Sequence, residues 1–139
     1  DFDATLDLVD RVRPAGGFVF KYSPRPGTLA ALRYRDDVAD EVKRDRHARL
    51  LDAVTASATE GNEKLVGSRV EVLAEEKAPR PHLDEAAGNR PDGQVQLRGR
   101  TRTSRLVVFD GPADWIGREV PVTIARAAGL TLFGRAERA

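Results

Sequence analysis

Apolar residues follow two different periods in the first part of the chain. Between Ala4 and Val12 they recur at helical spacing, and Pro14 and Gly16 mark the end of that helix. Residues 18–23 form a short β-rich run that is apolar on both faces, which is typical of a strand covered on both sides in a parallel sheet. Residues 1–35 therefore predict a helix and a buried strand, an αβ unit that is too small to be stable alone.

A long helical pattern follows at residues 36–63. It opens with several acidic residues, which suit the positive end of the helix dipole, and Gly61-Asn62 is typical of a helix end. Its apolar stripe is thin, so we expect a helix that packs on one side only and connects two bodies. The stripe consists of Val38, Val42, Leu50, Leu51, Val54 and Ala58.

From residue 64 the pattern changes to short strands separated by glycine and proline turns. Closing such strands into a barrel removes their exposed edges. The sequence therefore predicts a small five-stranded antiparallel β-barrel over residues 64–139, and an α+β fold for the whole chain. Residues 75–92, rich in proline, alanine and charge, predict an excursion between the first two strands. The predicted strands lie near residues 70–73, 94–97, 105–109, 120–124 and 130–133.

The most basic segment of the chain joins two of these predicted strands. Four arginines fall within residues 98–105, and no acidic residue occurs between Asp92 and Asp110. Guanidinium groups grip phosphate with paired hydrogen bonds and stack on bases, so the segment predicts a nucleic-acid contact. The alternative is a solvated hairpin whose arginines only keep the protein soluble. The four arginines are Arg98, Arg100, Arg102 and Arg105.

Neighbouring residues extend this candidate site. Gly99, placed at a turn, would let the backbone approach a ligand closely, and the hydroxyls of Thr101, Thr103 and Ser104 offer further donors. Phe109 could stack on a base or fill the barrel core. The same alternatives hold for Trp115, the only tryptophan, which we expect to cap the barrel.

Composition excludes several kinds of chemistry. The chain of 139 residues has no cysteine and two histidines, so it offers no thiolate for an iron–sulfur cluster or for nucleophilic attack. Neither a Ser-His-Asp arrangement nor a phosphate-loop pattern occurs, and we assign no catalytic residue and no metal ligand. The sequence has no long apolar run and no signal-peptide pattern, so we expect a cytoplasmic protein without a membrane partner. Because it begins at Asp1 with an element in progress, we expect a fragment of a longer protein.

The chain resembles the C-terminal part of the radical-SAM methylthiotransferases in the order and spacing of several segments. These are the loop at residues 22–28 (YSPRPGT), residues 42–46, Gly67, and Gly99-Arg100-Thr101 followed by Arg105 and Phe109. The resemblance extends along nearly the whole chain. It implies that residues 1–35 end a radical-SAM barrel, residues 36–63 form a connecting helix, and residues 64–139 form a TRAM domain, a small OB-like RNA-binding barrel.

Within this family the chain looks most like the tRNA branch, which adds a methylthio group to isopentenylated adenosine next to the anticodon. The resemblance implies that tRNA is the partner and that the full-length protein, a monomer, carries missing N-terminal domains. It also implies two 4Fe-4S clusters and S-adenosylmethionine in the full-length protein, with no cofactor bound by this segment. The alternatives are a sister branch acting on threonylcarbamoyl-adenosine tRNA or on a ribosomal protein, and a free-standing, non-catalytic RNA-binding barrel.

Two groups of residues carry the contacts that the resemblance implies. The expected RNA-binding residues are Arg98, Arg100, Thr101, Arg102, Arg105 and Phe109. The expected substrate-side loop consists of Tyr22, Ser23, Arg25, Pro26, Gly27 and Thr28.

Overall fold

A computed structural model describes residues 1–79 and 93–137. Most of the predicted excursion at 75–92 therefore lies outside the described residues, as does the end of the chain. The chain divides into two compact units, Asp1–Ser57 and Ala58–Ala139. The predicted three-part division at residues 35 and 63 stays a prediction.

Helices make up the regular structure of the first unit. Helix α1 spans Phe2–Val12, a short helix α2 spans Leu29–Arg33, and the long helix α3 begins at Asp40 and runs to Glu63 in the second unit. The ring of Phe2 lies under the guanidinium groups of Arg46 and Arg49, at 5.5 and 5.0 Å from the ring centroid. These cation–π contacts join α1 to α3 within the unit.

Residues 18–23 are extended but form no strand, which corrects the prediction of a buried one. A strand exists only when its backbone groups pair with a neighbour. No described strand pairs with this run, and the Val19 carbonyl instead lies 3.1 Å from Nε2 of His47 on α3. The rings of Phe18 and Phe20 are 93% and 82% exposed. Within the described residues this run is mostly exposed, with Val19 half-buried.

Helix α3 starts four residues later than residue 36, where its acidic opening was expected. The Lys43 amide bonds to the Ala39 carbonyl at 3.0 Å, so Ala39 caps the helix and Asp36 stays outside it. From that position the Asp36 carboxylate accepts a hydrogen bond from Lys43 Nζ at 2.6 Å. This hydrogen bond raises the pKa of Lys43 above its ordinary value.

The second unit is a closed five-stranded barrel in the order β1-β2-β3-β5-β4. Closure and the number of strands are confirmed, but the β3–β5 pairing is parallel. An all-antiparallel ring of five is geometrically impossible, because strand direction reverses at every antiparallel pairing and five reversals do not restore it. The strands are β1 Arg69–Lys77, β2 Gln94–Thr101, β3 Leu106–Pro112, β4 Glu119–Ala128 and β5 Thr131–Ala136.

Alternating residues of the strands fill the barrel. The fully buried side chains include Val72, Leu97, Phe109 and Ile124, one from each of four strands. Trp115, on the 3-10 helix Ala113–Trp115, packs against this core and lies over Gly111, where an added Cβ would come within 2.5 Å of the indole ring. The prediction that Trp115 caps the barrel is confirmed.

Candidate nucleic-acid interface

The basic segment forms the end of β2 and the turn into β3. The turn is closed by the Thr101 amide bonding to the Arg105 carbonyl at 3.0 Å, with Ser104 in the left-handed region at φ 61°. Thr101 Oγ1 accepts the Arg105 amide at 3.1 Å and shares a hydrogen bond with the hydroxyl of Thr103 at 3.1 Å. The hydroxyls of Thr101 and Thr103, two of the three expected to face a ligand, therefore bond within the turn itself.

Gly99 lies inside β2, not at the turn where a ligand was expected to approach. It pairs with Ala74 of β1, and a Cβ built on it would stand 2.0 Å from the carbonyl oxygen of Leu73. The close approach that requires glycine is thus between two strands of the barrel. Gly99 therefore allows the close β1–β2 pairing that forms the part of the barrel wall carrying the arginines.

Three arginines occupy the outer surface of this wall, and we call Arg98, Arg100 and Arg102 the arginine strip. Arg98 and Arg100 are two positions apart on β2, so their side chains leave the same face of the sheet. Arg102 follows in the turn. The side chains are 36%, 52% and 78% exposed, so the guanidinium groups are accessible to a large polyanion.

Each member of the strip has a carboxylate partner from another strand of the barrel. Arg98 Nε donates to Glu76 at 2.8 Å, Arg100 Nε lies 3.7 Å from Glu75, and Arg102 Nη2 lies 3.5 Å from Glu119. Arg100 also donates to the Ser104 carbonyl at 3.1 Å. The segment itself lacks acidic residues, but folding brings carboxylates from β1 and β4 beside it.

Arg105 has a different environment from the strip. Its half-buried guanidinium donates to Asn62 Oδ1 at 2.5 Å and to the Ala58 carbonyl at 3.5 Å. Asn62 is 2% exposed and donates in turn to the Gly129 carbonyl at 3.0 Å, in the β4–β5 turn. A Cβ on Gly61 would approach the Arg105 guanidinium to 2.7 Å. Arg105 therefore fastens the end of α3 to two barrel turns, and its guanidinium is already engaged by the fold.

Comparison with protein families identifies the barrel. The family model described as the TRAM domain matches residues 63–136, from the end of α3 to the end of β5. The chain belongs to the TRAM domain family.

Curated relatives extend the similarity to the whole chain. Three of them are named tRNA-2-methylthio-N(6)-dimethylallyladenosine synthase. The protein from Porphyromonas gingivalis W83 is 38% identical over 96% of this chain and 26% of its own length. The Rhodopirellula baltica protein is 39% identical over 97% of this chain and 27% of its own length. The Corynebacterium diphtheriae protein is 42% identical over 79% of this chain and 19% of its own length. This chain thus spans about a quarter of the length of the relatives that it matches.

Phe109 lies in the interior of the TRAM barrel, which corrects its assignment as an RNA-binding residue. Its side chain is 2% exposed and belongs to the core cluster. A ring enclosed on both faces has no face to offer a base. The alternative between core and stacking platform is therefore decided in favour of the core.

The expected substrate-side loop belongs to the first unit and is a well-defined turn. The Thr28 amide bonds to the Arg25 carbonyl at 3.2 Å, with Gly27 at φ 82°, which is the geometry of a type II turn with Pro26 in its preferred place. The Thr28 hydroxyl donates to the Arg25 carbonyl at 2.8 Å and accepts the Ala31 amide at 3.3 Å, so it caps α2.

This turn leaves its polar side chains on the surface. Ser23 and Arg25 are exposed, and Tyr22 is half-exposed. Pro26, Gly27 and Thr28 serve the backbone geometry of the turn. Pro26 and Thr28 are exposed as well, so every side chain of this loop is accessible to a partner.

The carboxylates that face the arginine strip are the part of the site that sequence reasoning missed. Glu119 is distant from the strip in sequence, and Glu75 and Glu76 were assigned to an irregular excursion. Residues 75–77 are three consecutive charged residues, so no local alternation assigned them to β1. Within residues 1–79 and 93–137 no group of three or more candidate ligands could hold a metal ion, and no helix is long and apolar enough to cross a membrane.

Arg105→Ala should destabilise the TRAM barrel, whereas Arg102→Ala, in the same turn, should not. Loss of the Arg105 guanidinium leaves the buried Asn62 oxygen without its partner, which costs about 1.5–3 kcal/mol. Removal of the exposed Arg102 should change stability by about 0.5 kcal/mol or less. Thermal or denaturant unfolding of the two variants measures the difference. Equal stability of the two variants would show that the contact between Arg105 and Asn62 does not hold the fold.

Proposed function

We propose that this chain is the tRNA-binding C-terminal part of a tRNA methylthiotransferase that adds a methylthio group to isopentenylated adenosine next to the anticodon. The observation that carries the proposal is the similarity of nearly the whole chain to relatives named as synthases of a methylthiolated, dimethylallylated adenosine in tRNA. The TRAM match supports RNA as the ligand of the barrel.

The charge and exposure of the arginine strip support a phosphate contact. Arg98, Arg100 and Arg102 present guanidinium groups to solvent, each with several donors that fit a phosphate. Their partners are exposed carboxylates at the surface, and such ion pairs stabilise a fold by only about 0–1 kcal/mol. A phosphate can therefore replace a carboxylate at little cost. Such contacts would hold the tRNA backbone and set affinity without reading the bases.

The residues of this chain do not fit an iron–sulfur cluster, because the chain contains no cysteine. The clusters and S-adenosylmethionine of the proposed enzyme would be held by its other domains, where the clusters would supply electron transfer and the sulfur chemistry. We derive no catalytic step from this chain. Its contribution in the proposal is to bind and orient tRNA.

The turn at residues 22–28 is the second element that we propose to face the substrate. Its fixed geometry leaves Arg25 on the surface, three residues after the half-exposed Tyr22. A cation at this position favours an RNA substrate, since RNA carries one negative charge per nucleotide. Arg25 contributes little to folding because it is exposed.

Removal of an arginine from the strip should weaken tRNA binding and reduce its dependence on salt. Each guanidinium that neutralises a phosphate releases counterion, so Arg98→Ala, Arg100→Ala or Arg102→Ala should lower the slope of log affinity against log salt by about 0.7–0.9. The loss should be similar for different tRNAs. Titration of tRNA over a salt series with the chain and its variants measures the slopes.

Arg69→Ala is the matched control for these variants. Arg69 is an exposed arginine on β1 that pairs with Glu137 at 3.0 Å, so it resembles the members of the strip without belonging to it. We expect its slope to stay near that of the unchanged chain. Slopes that fall equally for Arg69→Ala and for the strip variants would indicate a general charge effect, and unchanged slopes for all three strip variants would refute the interface.

Arg25→Glu should impair modification of tRNA by the full-length enzyme without altering its melting temperature by more than a degree or two. The exposed charge stabilises the fold little, but its reversal would repel the phosphates of the substrate. Arg33→Glu on α2 makes the same charge change nearby and should retain most of the activity. Normal modification by the Arg25→Glu enzyme would remove this loop from the proposed substrate contacts.

A further inference from the structure

We propose that Glu75, Glu76 and Glu119 act as internal competitors for phosphate, which limit the affinity of the arginine strip for RNA and speed its release. This inference rests on the proposed tRNA-binding function of the strip. It concerns the affinity of the same surface for RNA and the rate at which the RNA dissociates.

A β-bulge places two of the competing carboxylates on one face. In a regular strand, consecutive side chains point to opposite faces, so Glu75 and Glu76 would be separated by the sheet. The pairing of β1 with β2 shifts between Ala74, opposite Gly99, and Glu76, opposite Arg98. The shift leaves Glu75 as an extra residue, and both glutamates are exposed beside Arg98 and Arg100. Two consecutive residues of β1, Glu75 and Glu76, therefore pair with two alternate residues of β2, Arg100 and Arg98.

The third carboxylate comes from the opposite side of β1. Glu119, at the start of β4, is paired with Leu73 in the sheet and reaches Arg102 in the turn, with 3.5 Å between the charged atoms. Every arginine of the strip therefore has its own glutamate. Three positive and three negative charges leave this part of the surface close to neutral.

The exposure of these pairs makes exchange with phosphate feasible. All six side chains are at least 36% exposed. A pair of this kind is easily opened, so its carboxylate lowers RNA affinity without blocking the arginine. During dissociation, a glutamate tethered beside its arginine takes the place of each departing phosphate at high effective concentration. The glutamates should therefore shorten the lifetime of the complex.

Glutamine substitutions test the inference, because they remove the charge and keep the shape of the side chain. Glu75→Gln, Glu76→Gln and Glu119→Gln should each tighten binding of an unmodified tRNA transcript by about two- to five-fold, as expected for exposed ion pairs. The triple variant should bind at least about ten-fold tighter, with slower dissociation and a steeper dependence on salt. Binding and dissociation rates measured at two or more salt concentrations give all three quantities.

Glu137→Gln is the control for net charge. Glu137 forms the same kind of exposed pair with Arg69, away from the strip, so the substitution frees an arginine and changes the charge equally. We expect this variant to bind tRNA less than about two-fold tighter than the unchanged chain. The inference would be overturned if the triple variant gained no more affinity per removed charge than Glu137→Gln gains. It would also be overturned if the triple variant dissociated from tRNA as fast as the unchanged chain.

Failure of the inference is distinguishable from failure of the proposed function. If the alanine variants of the strip weaken binding but the glutamine variants do not strengthen it, the strip binds RNA and the glutamates do not compete. If neither set of variants changes binding, the strip is not the interface and both proposals fail. The single variant Glu119→Gln can be measured even if Glu75→Gln and Glu76→Gln, at the bulge, unfold. Glu119 is exposed at the start of β4 and lies outside the core.

Discussion

The close contact between β1 and β2 is the constraint on which the candidate interface depends. Gly99 brings the two backbones together where any larger residue would collide with the Leu73 carbonyl. The bulge after Ala74 then sets which side chains of β1 stand beside Arg98 and Arg100. The positions of the arginines and of their carboxylate partners therefore follow from one strand pairing in the wall of the TRAM barrel.

Local patterns in the sequence were sufficient to predict the barrel, since its strands alternate and are separated by turns. The parallel β3–β5 pairing follows from the number of strands, not from any local pattern, and only the closed topology reveals it. Residues 18–23 show the opposite case. Their apolar composition predicted a strand covered on two faces, but no described strand pairs with them.

The candidate site was predicted less completely than the fold because its charges come from separate strands. The four arginines lie within eight residues of sequence, but their partners lie far from them in the chain, and the partners determine what each arginine does. Arg105 meets a buried amide at the end of α3, whereas Arg102, three residues earlier, meets an exposed carboxylate. A count of charges along the segment cannot separate these two roles. The place of Phe109 in the barrel core likewise depends on the register of β3, which the continuously apolar run left undetermined, since Val107, Val108 and Phe109 are all buried.

Nuclear magnetic resonance of the arginine side chains tests the central claim, which is that the strip and not Arg105 contacts tRNA. During titration of the chain with tRNA, the Nε–H resonances of Arg98, Arg100 and Arg102 should shift or broaden. Those of Arg105 and of Arg69 should stay close to their positions in the free protein, because Arg105 is engaged by Asn62 and Arg69 lies outside the strip. Perturbation of Arg105 or Arg69 with the strip unchanged would contradict the account.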